Sequence, residues 1–267
     1  MMEWWLAYIG LGLFTGFTAG MMGIGGGLVM VPMLTMMFSA QAGFPAGEVL
    51  HMALGTSMAM ILFTSFASLR AHHKHGAVLW KVVAQITPGI LLGTLVGTLL
   101  ASHVPAKPLA IFFTLFVCVA SAQTLFNIKP KASRELPGAA GVFSVGTVIG
   151  AISALVAVGG GAMTVPFLTW CNVHIRNAIG TSAAVGFPIA LGGSLGYLYN
   201  GWGGASLPPW SLGYIYLPAV LWMAPFSMLA APFGARATHH LPAATLKRIF
   251  SCLLIVLAGR MLWKFFA

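Results

Sequence analysis

The sequence predicts an all-α polytopic membrane protein with two inverted repeats, each a broken-helix re-entrant hairpin followed by three transmembrane helices. Three observations support this prediction. Of the 267 residues, 59% are hydrophobic and only 6% are charged, whereas a soluble domain carries about 25% charged residues. Apolar runs long enough to cross a bilayer recur along the chain. The two halves of the chain also share motifs in the same order.

The apolar runs define the elements, because about 20 helical residues cross the hydrocarbon core of a bilayer. The predicted segments are Trp4–Phe38, Val49–Leu69, Leu79–Ala101, Leu109–Asn127, Gly138–Cys171, Asn177–Tyr199, Leu212–Phe233 and Ala244–Phe265. One polar linker, residues 128–137, divides the chain nearly in half. The first repeat is therefore residues 1–127 and the second is residues 138–267, joined by a linker that is predicted below to be cytoplasmic.

Four motifs of the first half return in the second half. The matches are GIGGGLVMVPMLT at 23–35 with AVGGGAMTVPFLT at 157–169, LGTS at 54–57 with IGTS at 179–182, TPG at 87–89 with LPA at 217–219, and HVPAKPLAIFF at 103–113 with HLPAATLKRIF at 240–250. Internal repeats of this kind are typical of secondary transporters.

The basic residues distinguish two topologies, because lysine and arginine concentrate in cytoplasmic loops. If each glycine-containing segment crosses the membrane once, eight basic residues face the cytoplasm and five face outward. If each segment turns at its glycines and returns, ten face the cytoplasm and three face outward: Lys107, Arg260 and Lys264. The second arrangement is favoured. Each half then crosses three times, so the halves are inverted and both termini lie outside.

Glycine triplets interrupt the two hairpins. A helix break at membrane depth leaves backbone N–H and C=O groups without hydrogen-bond partners. Such a break is tolerated only where it is buried in protein or lines a water-filled cavity. The half-helices that begin near Gly27 and Gly161 present free N–H groups at their positive dipole ends. We therefore expect six glycines to bind a small anion near the middle of the membrane: Gly25, Gly26, Gly27, Gly159, Gly160 and Gly161. The alternative is close helix packing, which we favour for Gly93 and Gly97.

The duplicated GTS motif adds hydroxyl groups that can donate hydrogen bonds to anionic oxygens. These are Thr56, Ser57, Thr181 and Ser182. The alternative for each hydroxyl is a bond back to its own helix. Pro32 and Pro166 fall inside the returning half-helices, where they kink the helix or fit its first turn, and both are candidates for gating.

The duplicated G-x-GGG-x-x-x-VP pattern and the duplicated GTS resemble the TauE/SafE family of sulfite exporters, over essentially the whole chain. The family pattern falls on Gly23, Gly25–Gly27, Val31, Pro32 and Gly55–Ser57. The second copy departs from it, with Ala157 in place of Gly23. The resemblance implies secondary transport of a small anion across a prokaryotic inner membrane, with export as the expected direction. The expected substrates are sulfite, thiosulfate, sulfoacetate or another organosulfonate, and the alternative is a non-sulfur organic anion.

Ionisable residues precede both GTS motifs at equal offsets. His51 and Arg176 are predicted at opposite membrane faces, where each attracts anions to a vestibule or only anchors a helix end. Glu48 lies one turn before His51, so coupling of transport to protons, or to another ion gradient, is a further candidate.

Two other function classes compete with transport. An intramembrane enzyme is disfavoured, because the chain contains no Asp and GGSLG at 192–196 lies in an apolar helix rather than at a strand-turn-helix elbow. A membrane assembly factor would not need broken helices. HHKH at 72–75 is interpreted as a basic cytoplasmic turn rather than a metal site. Neither a cofactor nor nucleic acid is expected, whereas membrane lipid is an expected partner and a homodimer a candidate assembly.

Three cysteines and the N-terminus complete the sequence predictions. Cys118, Cys171 and Cys252 sit in apolar stretches and are predicted to be small core residues. No signal peptide is expected, because the first apolar run continues through the glycines without a convincing A-x-A site.

Overall fold

The computed structural model describes residues 4–22, 26–126, 134–204, 207–237 and 243–266. The described helices are α1 Trp5–Met22, α2 Gly27–Ala40, α3 Val49–Lys74, α4 Trp80–His103, α5 Ala106–Leu125, α6 Ala139–Val156, α7 Gly161–Trp170, α8 Ile175–Asn200, α9 Leu217–Ala237 and α10 Ala243–Phe266. A short antiparallel pair, β1 Ser211–Leu212 and β2 Ile215–Tyr216, precedes α9.

The predicted helical, multi-pass architecture is confirmed. Within the described part of the chain, seven helices are long and apolar enough to cross a membrane: α3, α4, α5, α6, α8, α9 and α10. Many of their exposed side chains are large and apolar, as a lipid-facing surface requires. The prediction for the cysteines was wrong at Cys118 and Cys252, which are exposed on these helices, whereas Cys171 is buried.

Both long glycine segments break where the repeated motif begins. Helix α2 starts at Gly27, and the preceding Gly26 adopts a φ of 72°, a left-handed conformation that side chains disfavour. Helix α6 ends before Ala157, which has a φ of 47°, and α7 starts four residues later. Equivalent positions of the two halves therefore interrupt equivalent helices.

After each break the chain doubles back toward its starting point. At the end of α2, the Gln41 side-chain amide donates to the Tyr8 hydroxyl of α1 at 2.7 Å. At the end of α7, the Trp170 carbonyl accepts from the Arg134 backbone N–H at 3.4 Å, just before α6 begins. The half-helices α2 and α7 thus run back alongside the helices that precede them.

Glycines bring two pairs of helices into backbone contact. On α4, Gly89 and Gly93 face the backbone of Phe143 and Thr147 on α6. Contacts advance in the same direction along both helices, so this pair is parallel. A Cβ at Gly97 would lie only 2.5 Å from the Ala151 carbonyl oxygen. The packing interpretation of Gly93 and Gly97 is therefore confirmed.

The second glycine seam joins α1 to α9. A Cβ at Gly12 would lie 2.6 Å from the Met223 carbonyl oxygen, and Gly16 faces the backbone of Ser227 one turn later. This pair is also parallel. The two seams are equivalent in the two halves. Helices α1 and α6 each precede a glycine break, and helices α9 and α4 each follow a helix that carries a GTS motif.

The helix connections lie at two opposite faces. At the face that we call the linker face, the Arg176 guanidinium donates to the His75 carbonyl at 2.9 Å, joining the start of α8 to the α3–α4 turn. At the face that we call the terminal face, Lys107 at the start of α5 lies 5.7 Å from the Phe266 ring centroid at the end of α10. Trp4, the α2–α3 turn and the β1–β2 pair also lie at the terminal face.

Helices α3 and α8 form the centre of the molecule. They run antiparallel, since Met58 contacts Gly193 and Ser65 contacts Gly186. The most apolar window of α3 is 83% buried and that of α8 is 67% buried. The two GTS motifs thus sit on the two most enclosed helices among the described spans.

Candidate functional site

The two helix breaks meet in the middle of the molecule. Gly27, at the start of α2, lies so close to the Ala157 carbonyl that a Cβ at position 27 would overlap that oxygen. The same Cβ would come within 2.9 Å of Ile61 Cδ1, and Ile61 is the midpoint of the 26-residue helix α3. The start of the second half-helix, α7, follows four residues after Ala157.

A cavity of about 380 Å³ extends from the second break toward the linker face. A volume of this size is within the range of small-molecule sites, about 300–1,000 Å³. Its wall comes from α1, α3, α8, α9 and the turn before α7. The lining residues are Ala19, Ile61, Thr64, Ser65, Ala67, Ser68, Ala71, His72, Gly159, Gly160, Gly161, Ser182, Ala183, Gly186, Met228, Ala231 and Pro232.

The cavity lining is uncharged apart from one histidine. It contains no carboxylate among the described residues, and its one ionisable side chain is His72, near the end of α3. The hydroxyls of Thr64, Ser65 and Ser182 bond to carbonyls of their own helices. The donors available to a ligand are therefore the Ser68 hydroxyl and the first N–H groups of α7, which have no acceptor within the helix and carry the positive end of its dipole.

The structure separates the predicted binding residues into two groups. Four of them border the cavity: Gly159, Gly160, Gly161 and Ser182. Five lie elsewhere in the buried interior: Gly26, Gly27, Thr56, Ser57 and Thr181. Gly25 falls outside the described residues. The two glycine triplets are thus placed differently: the second faces the cavity, and Gly27 of the first faces Ala157.

The threonines of the GTS motifs have equivalent structural partners. The Thr56 hydroxyl oxygen accepts from the backbone N–H of Tyr216 at 3.0 Å, immediately before α9. The Thr181 hydroxyl oxygen accepts from the backbone N–H of Leu79 at 3.0 Å, immediately before α4. Both threonines are fully buried. Each thus fixes the start of the next long helix, a long-range role that the sequence interpretation did not include.

We expect Thr56→Val and Thr181→Val to lower the free energy of unfolding in detergent by about 1–3 kcal/mol, because each leaves a buried N–H without an acceptor. Thr56→Ser and Thr181→Ser keep the hydroxyl and should recover most of that loss. Thr114→Val is the matched control, since the Thr114 hydroxyl bonds only to the Ala110 carbonyl of its own helix. A Thr114→Val loss as large as the other two would contradict the assigned role.

The predicted gating residues occupy equivalent positions in the two halves. Pro32 is the sixth residue of α2 and Pro166 is the sixth residue of α7, so each removes one N–H from its half-helix beyond the first turn. Neither is part of the cavity wall. Arg176 and His51 lie at the linker and terminal faces, respectively, where each bonds to backbone carbonyls.

Side chains on α3 and α8 complete the cavity and were not identified from the sequence. Thr64, Ser65 and Ser68 come from α3, while Ala183 and Gly186 come from α8. Their signal is a set of small residues two to three turns beyond the first GTS motif and within one turn of the second, which indicates equally well a tight helix interface. In the structure, Ser65 and Gly186 contact each other where α3 packs on α8, and both also border the cavity.

The terminal face is closed over the same site. The rings of Phe38 and Phe44 stack at 4.5 Å, and the edge of Tyr216 packs on Phe44 at 5.0 Å. Below them, Leu34 and Met30 of α2 are fully buried. The cavity therefore reaches the middle of the molecule from the linker face, while packed side chains fill the space on the other side.

Broken helices that meet halfway through a multi-pass bundle, beside a cavity directed toward one face, are the construction of a membrane transporter. Comparison with known families gives the same class. Residues 8–261 match the sulfite exporter TauE/SafE family, and the chain belongs to this family.

Similar proteins occur in bacteria and archaea. A Haemophilus influenzae protein described as "Probable membrane transporter protein" is 37% identical over 256 residues, covering 95% of this chain and 96% of that protein. Bacillus subtilis YdhB, with the same description, is 28% identical over 87% of this chain and 89% of its own length. A Methanocaldococcus jannaschii protein so described is 26% identical over 94% of this chain and 93% of its own length. No solved structure matches the chain significantly.

Proposed function

We propose that this protein is a secondary transporter of a small sulfur-containing anion, such as sulfite, thiosulfate, sulfoacetate or another organosulfonate, across the prokaryotic inner membrane, and that it acts in export. The observation that carries the proposal is the cavity at the start of α7. Its lining offers backbone N–H groups at a helix N-terminus and no carboxylate among the described residues.

The charge of the cavity supports an anionic ligand. A helix N-terminus contributes about half a positive charge, and the start of α7 borders the cavity. Backbone donors stabilise an anion without a permanently charged side chain, whose burial in the membrane would be costly. The name of the family, sulfite exporter, supports sulfur oxyanions within this class.

Purified protein should bind sulfite, thiosulfate or a sulfonate in isothermal titration calorimetry, and proteoliposomes should transport the anion that binds. Amines and divalent metal cations should give no saturable heat, because the lining has nothing to neutralise them. Binding of a carboxylate, with no sulfur oxyanion bound, would favour the non-sulfur alternative. Saturable binding of a cation alone would contradict the anion proposal itself.

We also propose that the halves are inverted about a two-fold axis in the membrane plane. Helix α4 is parallel to α6 and to α8, since Thr94 and Thr98 contact Gly192 and Gly196 in turn. Helix α9 starts at the terminal face, where α8 ends, so it runs opposite to α8. Helix α1 is parallel to α9 and hence antiparallel to α6, its counterpart, which supports the inverted relation.

The proposed topology places the linker face in the cytoplasm, because the basic residues concentrate there. A cysteine at Glu135, in a background without the three native cysteines, should react with a membrane-impermeant maleimide only after the cells are permeabilised. A cysteine at Pro105, in the α4–α5 turn, is the matched control and should react in intact cells. The reverse pattern would exclude this orientation.

A further inference from the structure

A pair of ionisable side chains at the terminal face, one buried and one partly exposed, takes no part in the cavity. Glu48 lies at the start of α3, and His51 lies one turn along that helix. The His51 Nδ1 atom is 3.5 Å from Glu48 Oε2, and the His51 side chain is 5% exposed. Both facing atoms are buried without any hydrogen-bond partner, so the pair must satisfy itself.

The other ring nitrogen of His51 fixes where its proton lies. Nε2 is 2.9 Å from the Ala101 carbonyl oxygen and 3.2 Å from the Val104 carbonyl oxygen. Carbonyl oxygens only accept, so Nε2 must carry a hydrogen. In the neutral ring Nδ1 is then an acceptor, and it faces a carboxylate oxygen that is also an acceptor. The pair is satisfied only when one further proton lies on either partner.

Tyr214, from the β1–β2 turn, completes the cluster. Its ring lies 5.4 Å from that of His51, and its hydroxyl lies close to the Glu48 carboxyl group. Burial, together with the Glu48 charge, raises the pKa of Tyr214 to about 12. The phenol therefore stays protonated at physiological pH and is available as a donor to the Glu48 carboxylate.

No other ionisable group is shown against His51 among the described residues. Tyr197 of α8 packs on Tyr214 rather than on the imidazole. His103 of α4 is exposed and bonds to the Leu99 carbonyl, and Lys107 of α5 is exposed beside Phe266. From α4 and α5, His51 receives only backbone carbonyls. The proton of the pair is thus held by Glu48 and His51 alone.

We propose that the Glu48–His51 pair is a proton-binding site that holds the terminal face closed, and that loss of its proton is coupled to opening at that face. The cluster joins α3, the α4–α5 turn and the β1–β2 turn. Without the proton, two acceptors oppose each other inside this junction and push its elements apart. Glu48 has a side chain 34% exposed, which gives the proton a route to solution.

The proton site itself is inferred without the proposed transport function. Only its consequence, that proton binding is coupled to the transport cycle, rests on that function. The proton site does not depend on the identity of the anion.

The experiment measures opening of the terminal face in purified, detergent-solubilised protein without any anion substrate. The reporter is Ser57→Cys, in a background with the three native cysteines replaced by serine. Ser57 lies on α3 inward of His51, is fully buried and has an unpartnered hydroxyl. The maleimide reaction rate is measured from pH 5.5 to pH 8. At each pH this rate is divided by the rate of the same reporter in the Glu48→Gln variant. The ratio removes the effect of thiol ionisation, which is common to both proteins.

Glu48→Gln is the reference because its side-chain amide donates to Nδ1 at every pH and so mimics the protonated pair. We expect the ratio to rise with pH, by at most about tenfold per pH unit, the limit for one proton. Tyr214→Phe should move the midpoint to higher pH, since the carboxylate loses a donor that favours its ionised form. Glu135→Gln, at the linker face, should leave the profile unchanged.

A ratio that is constant or falls with pH would overturn the proposal, and so would a reporter that reacts in neither protein at any pH. A rise that persists unchanged in Tyr214→Phe would also overturn it, because the titrating group would then lie outside the cluster. Absence of anion binding in the calorimetric test would leave this result standing, so the two proposals fail separately.

Discussion

Gly27→Ala is expected to reduce transport by about five- to 150-fold, the equivalent of the 1–3 kcal/mol that overpacking costs. The added methyl group would overlap the Ala157 carbonyl, so the two helix breaks can no longer touch. Because the obstacle is backbone rather than a side chain, a rotamer change cannot relieve it. Alanine is a better helix former than glycine by about 1 kcal/mol, so loss of helix cannot explain the defect.

Transport by Gly27→Ala is measured in proteoliposomes at equal protein content. Gly10→Ala and Gly259→Ala are the controls, because a Cβ at either position meets nothing within 4 Å. Both should transport at the parental rate. Equal rates for Gly27→Ala and Gly10→Ala would show that contact between the breaks is dispensable.

Gly186→Phe is the second substitution with a large expected effect. A Cβ at this position would lie 3.4 Å from Ser65 Cβ and 3.5 Å from the Gly160 nitrogen, which is ordinary contact. Gly186→Ala should therefore remain active. The phenyl ring must enter the cavity, since Gly186 is part of its wall, and it should abolish both anion binding and transport.

Size-exclusion chromatography in detergent establishes whether Gly186→Phe is folded, and calorimetry then measures its anion binding. Gly259→Phe makes the same change at an open position of α10 and should bind normally. A monodisperse Gly186→Phe protein that binds the anion as tightly as Gly186→Ala does would place the ligand outside this cavity.

The elements and breaks of this fold were predictable because their causes are local. Apolar runs bounded by polar residues located the long helices, and the repeated glycine motif located both breaks, at Gly27 and Gly161. The segment Trp4–Phe38 is too long for one span, so its division into α1 and α2 followed from length. These inferences needed no knowledge of which helix packs on which.

The candidate site was only partly predictable because it depends on tertiary pairing. The two glycine triplets are identical in sequence, yet among their described residues only Gly159–Gly161 border the cavity. The hydroxyls of Thr56 and Thr181 have acceptor roles toward residues 160 and 102 positions away. Local patterns gave no indication of either partner. Gly186 was not identified from the sequence, because the cavity it borders is formed only where α3, α8 and α9 come together.

The α1–α9 seam has a consequence for biosynthesis. Gly12 is made early, whereas its packing partner Met223 follows some 210 residues later. At about 5–20 residues per second, the ribosome needs roughly 10–40 s to cover that distance. During this period the face of α1 that carries Gly12 and Gly16 contacts lipid or a chaperone instead of α9. A nascent chain released before α9 is made would keep this face exposed to lipid. Membrane quality control would then have an unpaired helix face by which to recognise incomplete molecules.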